Sequence, residues 1–122
     1  MRVVKAKSKE RRRDRRIQET PIKVELNGSG YETANWSLGG FLLYSFYGDF
    51  QIGETPIVGI KAEVGDQLFQ HVTRAEIVRI DFNRKLLAAN FVELDDDVLN
   101  TLEGLSTGRL RREHLRKQRK SA

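Results

Sequence analysis

From residue 21 the chain alternates. Ile22, Val24 and Leu26 are separated by Lys23 and Glu25, the two-residue period of a half-buried strand, and Asn27-Gly28-Ser29-Gly30 follows as a turn. Tyr31 to Ser37 reads as the return strand of that hairpin. Residues 39–46, GGFLLYSF, form an apolar β-prone run that Gly48-Asp49 breaks shortly afterwards. Three further strands are predicted at 55–64, 68–80 and 85–94, set apart by Gly65-Asp66 and by the polar stretch 81–84. Within 68–80, Ala75, Ile77 and Arg79 are expected on one face and Glu76, Val78 and Ile80 on the other. Phe41 and Leu43 read as core, with Leu42 and Tyr44 on the opposite side. Short strands at hairpin spacing, without βαβ alternation or an internal repeat, predict a small antiparallel sandwich or barrel.

The period then changes. Asp95-Asp96-Asp97 offers a cap and first-turn acids that suit a helix dipole, and Val98, Leu99, Leu102 and Leu105 follow at helical spacing. Gly104 weakens that helix near its end, and Thr107-Gly108 is a stop. Beyond it only Leu110 and Leu115 mark an apolar stripe. The reading is thus a basic arm at 1–18, a β-barrel at 19–94, a helix at 95–106, and a basic tail at 107–122 able to form a second helix. The arm has no apolar period and is expected to be extended and flexible when nothing is bound.

Charge sharpens this picture. The net charge of +5 is divided into +7 over residues 1–16, −8 over 17–106 and +6 over 107–122. An acidic body with a basic arm at each end differs from a general nucleic-acid binder, whose basic residues cover the folded face. No apolar run approaches the ~20 residues of a membrane-spanning helix, and no signal-peptide pattern opens the chain. With no cysteine, and with His71 and His114 far apart, neither disulfides nor a zinc site is expected. The absence of cysteine fits a reducing compartment, and a cytoplasmic location is the expectation. No Ser/His/acid arrangement stands out, and His71 has no evident carboxylate partner. Catalysis is not expected, and Asp95–Asp97 reads as a helix start.

Two short motifs carry the chemistry. ERRRDRRI, residues 10–17, places five arginines in eight positions, and NWSLGG, residues 35–40, supplies Asn35-x-Ser37-x-x-Gly40. Either alone reads as a solvated tail or a turn. In this order, on opposite sides of one predicted hairpin, they resemble the PilZ family of cyclic di-GMP receptors, with its R-x-x-x-R and D/N-x-S-x-x-G motifs. RAEIVRI and LLAANFVEL resemble that family's closing strands, so the likeness covers most of residues 10–104. It implies a six-stranded antiparallel β-barrel with a C-terminal helix and a non-catalytic bacterial second-messenger receptor without a cofactor.

The ligand the resemblance implies has two phosphates and two guanines. A guanidinium fork matches phosphate oxygens, pairs with guanine O6 and N7, and stacks on the base. Arg12 and Arg16 fill R-x-x-x-R directly before the apolar Ile17, with Arg11 as an adjoining arginine of the kind that grips an intercalated ligand dimer. Arg13 and Arg15 are then ancillary, although Arg11 and Arg15 satisfy the same spacing and remain an alternative pair. On the barrel, the Asn35 carboxamide would meet a guanine edge and the Ser37 hydroxyl a base or phosphate. Gly40, with Gly39 beside it, would permit close backbone approach or a positive φ. Trp36 reads as packing. Arg74 and Arg79 read as surface charges, one of which could reach the edge of the site.

Two departures from the family pattern stand out. Asn35 takes a position where Asp is common, and Ala88 one where Gly is common, the latter expected to bear on packing. The implied output is reorientation of the arm to regulate an unidentified protein partner, with no nucleic-acid polymer involved and self-association through the C-terminal helix as a further option. Two other readings are kept: a small barrel that binds nucleic acid through its basic arms, and a nucleotide-independent PilZ-like assembly module.

Overall fold

A computed structural model describes residues 21–121 of the chain, so the arm residues Arg11, Arg12, Arg13, Arg15 and Arg16 lie outside the described residues. The strands are β1 (Lys23–Leu26), β2 (Ser29–Ser37), β3 (Gly40–Leu43), β4 (Ile57–Val64), β5 (Gln67–Asp81) and β6 (Leu86–Glu93), followed by helices α1 (Asp96–Ser106) and α2 (Arg109–Ser121). The strands close into an antiparallel barrel in the order β1-β2-β3-β6-β5-β4. The expected fold, a six-stranded barrel with a helix at its C-terminal end, is the one observed. Its first hairpin turns at Asn27-Gly28, both at positive φ (51° and 82°), the pairing that matches the twist of two-residue hairpins.

Inward residues of every strand share one core. Val24, Leu26, Trp36, Phe41, Leu43, Val58, Ile60, Ile77 and Leu87 are buried in it, and Trp36 is 0% exposed. The apolar run of β3 stops sooner than its composition suggests. Ser45 turns the chain at φ 57°, and Phe46 then tucks back against Tyr31 and Phe50, with ring centroids 5.3 and 6.0 Å away. Phe46 therefore plugs one end of the barrel instead of extending the strand.

The strand register shifts at three places. Opposite Arg74 and Ala75 the extra residue is Val92 of β6. β2 carries a bulge between Thr33 and Asn35, and β5 another between Ile77 and Arg79. One extra residue on each strand reverses the facing of everything beyond it. Arg79 consequently pairs with Ala88 and is exposed, whereas Ile80 pairs with Leu87 and packs against the core. This corrects the expectation that Arg79 shares a face with Ala75 and Ile77.

The helices cover the other end. The Asp95 carboxylate accepts from Val98 N–H at 3.0 Å, capping α1, and Val98, Leu102 and Leu105 are buried beneath it. The His71 ring meets Thr101 Oγ1 at 2.8 Å, tying β5 to α1. Gly104 is buried because α2 crosses there. A Cβ at that position would lie 2.7 Å from both Leu110 and Arg109 side-chain atoms, so the residue that weakens the helix is also the one that admits its neighbour. The basic tail is helical despite its thin stripe. Leu110 packs against the core, and Arg109 donates to the Asn100 carbonyl (3.1 Å) and side-chain oxygen (3.2 Å) while pairing with Glu113.

Candidate functional site

The Asn35-x-Ser37-x-x-Gly40 motif falls on the β2–β3 hairpin, and each of its residues has a distinct position. Trp36 faces inward opposite Phe41, as strand alternation requires next to Ser37. The Ala34 bulge allows Thr33 to face inward too, where its hydroxyl donates to Ile22 O at 3.0 Å. Asn35 is thereby left on the outer side, half-buried and opposite Leu42. Its Oδ1 is shielded from solvent yet has no hydrogen-bond partner among the described residues. Such an oxygen costs on the order of 1–3 kcal/mol while unsatisfied. Ser37 Oγ accepts from Gly39 N–H at 3.1 Å, which fixes the hairpin turn.

Gly40 is buried where β3 meets β6. A Cβ there would overlap the Ala89 carbonyl and come within 2.9 Å of Asn90 Cα, both rigid backbone. Its φ is not positive. The glycine permits close backbone approach, as expected, but the backbone it approaches is that of the neighbouring strand.

The root of the arm lies beside this motif. Ile22 O accepts from both Thr33 N–H (3.3 Å) and Thr33 Oγ1, so the chain enters the barrel at Pro21 alongside Ala34 and Asn35. Five residues lie between Arg16 and Ile22, a tether of at most about 22 Å when extended. A groove of about 940 Å³ flanks the root on its other side, bordered by Pro21, Lys61, Val64, Leu105 and Arg111. None of Asn35, Ser37 or Gly40 lines it, and its charged lining is mixed, with Lys23, Lys61 and Arg111 beside Glu32 and Glu63.

The outer face continues beyond the motif. In register across four strands run Asn35, Leu42, Ala88 and Arg79, and beside them Ser37, Gly40, Asn90 and Glu76. Ala88, expected to bear on packing, therefore stands half-buried on the same outer row as Asn35. Arg74 is separate from this surface, its guanidinium donating to Thr55 O at 2.9 Å. Asn90 is absent from the residues picked out by sequence, because only strand register brings it beside Gly40. Among the described residues no cluster of His, Asp and Glu is arranged to hold a metal ion, and no helix is long and apolar enough to cross a membrane.

No protein-family model matches this sequence, and no curated protein matches it. Solved structures do. The Bacillus subtilis inhibitor of motility MotI/DgrA is similar with a TM-score of 0.60 at 19% identity, over 81% of this chain and 50% of that one. The PilZ domain of CeSA from a cellulose-synthesizing bacterium aligns at TM-score 0.55 and 18% identity, over 77% and 96% of the two chains. The PilZ domain of YcgR from Escherichia coli, solved with c-di-GMP, aligns at 0.53 and 20%, over 88% and 98%. The barrel has the fold of a PilZ domain. The chain spans half the length of the MotI/DgrA structure and nearly all of the two isolated PilZ domains.

Proposed function

We propose that this domain is a cyclic di-GMP receptor whose site is completed by its N-terminal arm. The observation that carries the reading is the shielded, unpartnered Asn35 Oδ1, beside the point where an arginine-rich arm joins the barrel. That oxygen accepts from guanine N1–H and N2–H or from a guanidinium, and the carboxamide nitrogen donates to guanine O6 or N7. Ser37, buried, holds the turn beside Asn35. Arg12 and Arg16 close over the top, one on phosphate and one on base, and Arg11 joins if the ligand enters as an intercalated dimer. The fold, shared with a PilZ domain solved with c-di-GMP, supports the assignment. The role is binding and not catalysis, and the arm's ligand-bound position is the signal offered to a protein partner.

Calorimetry with purified protein tests this. Saturable binding at micromolar cyclic di-GMP is expected, with Arg12→Ala plus Arg16→Ala weakening it about 100-fold or more, since charged hydrogen bonds contribute roughly 1.5–3 kcal/mol each. Absence of saturable binding, or equal binding by the double variant, sinks the reading. A loss confined to Arg11→Ala plus Arg15→Ala would move the clamp by one residue, and two ligands per chain would implicate Arg11.

A further inference from the structure

We infer that Arg79, from the opposite side of the barrel sheet, is a second ligand-binding arginine, so that the nucleotide lies across β3 and β6 between Asn35 and Arg79. The inference rests on the cyclic di-GMP reading and extends its site to a strand outside the motif. Three observations carry it. The outer row Asn35–Leu42–Ala88–Arg79 is continuous in register, so the two polar ends stand three strand spacings, about 14 Å, apart. Between them the floor is a half-buried leucine and a single methyl group, low and apolar enough for a purine to lie flat. Finally, the bulge at Val78 is what turns Arg79 to this face. Without it the guanidinium would point into the core, and bulges that re-aim one side chain recur beside binding sites.

Arg79 is also available. It is exposed and forms no ion pair among the described residues, in contrast to Arg74, which is held by Thr55, and Arg109, which is held by Asn100 and Glu113. The neighbouring row ends at Glu76, a carboxylate that suits the N1 and N2 donors of guanine and repels phosphate. Arg79 and Glu76 together present a guanidinium and a carboxylate from one strand. The far guanine can meet both, with its phosphate toward Arg79.

The test is a cyclic di-GMP titration of the full chain as wild type, Arg79→Ala, Arg79→Lys and Arg74→Ala, with melting temperatures for each. Arg79→Ala is expected to bind about tenfold or more weaker at an unchanged melting temperature, and Arg79→Lys to recover only part of the loss because the planar fork is missing. Arg74→Ala is expected to bind like wild type. A second variant, Ala88→Leu, raises the floor and should weaken binding without disturbing the core it faces away from. Wild-type affinity in Arg79→Ala overturns the assignment while leaving the receptor function intact. Equal losses in Arg79→Ala and Arg74→Ala reduce it to general charge and overturn it as well. A wild-type chain that does not bind at all overturns both readings.

Discussion

The two halves of β5 lie in different surroundings. Over Phe69 to Thr73 the strand pairs with β4 alone, and α1 lies against it, with His71 joined to Thr101. Over Ala75 to Asp81 it pairs with β6, and its outer side carries Glu76 and Arg79 across β6 from the β2–β3 hairpin. In the first region the chain supplies its own partners: a cap for α1, a hydroxyl for the imidazole, a glycine to admit α2. In the second, an oxygen and a guanidinium stand without partners among the described residues at the two ends of an apolar floor. Polar groups matched within the chain act on stability, and unmatched ones are free to be matched by a ligand.

Gly40 is the sharpest way to break that division, because it lies within the site yet belongs to the barrel. Gly40→Val should cost about 3 kcal/mol by driving a side chain into the Ala89 carbonyl, read as a lower denaturation midpoint in urea. A variant with an unchanged midpoint would return the glycine to the ligand. Next in size, Asn35→Leu should weaken cyclic di-GMP binding about tenfold while leaving the free protein as stable or up to about 1 kcal/mol more so, since it deletes an unsatisfied buried oxygen. Clear destabilisation would show that Asn35 is held by the barrel and not kept for a ligand. The smallest effect is expected for Thr101→Val. Losing its bond to His71 should cost about 1 kcal/mol with no change in ligand affinity, and a change in affinity would couple the helix end to the site.

The alternation of Ile22, Val24 and Leu26 and the Asn27-Gly28 turn made the barrel legible in the sequence, because strand period and turn chemistry are local properties. Asn35 and Ser37 stood out as candidates through motif spacing. The bulges of β2 and β5 were not legible. Ala34-Asn35 and Val78-Arg79 each look like ordinary positions in an alternating run, and only the partner strand reveals the extra residue. The facing of Arg79 was misjudged for that reason, and Asn90 was passed over because the residue it stands beside, Gly40, is fifty positions away in sequence. The second helix was equally hard to read. Its stability comes from the contacts of Leu110 and Arg109 with α1 more than from its own stripe.

One property of the closed barrel bears on how anything outside could use the arm. β1 is bonded on both flanks, with Lys23 opposite Glu32 on one side and Lys61 on the other, and Val24 opposite Tyr31 and Ile60. A pull on the chain ahead of Pro21 therefore loads two ladders at once, in shear, with no free edge from which bonds could open one after another. The barrel acts as a fixed post. In the proposed receptor, tension on the arm would be borne at Ile22, and a signal would pass through where the arm lies and not through deformation of the sheet behind it.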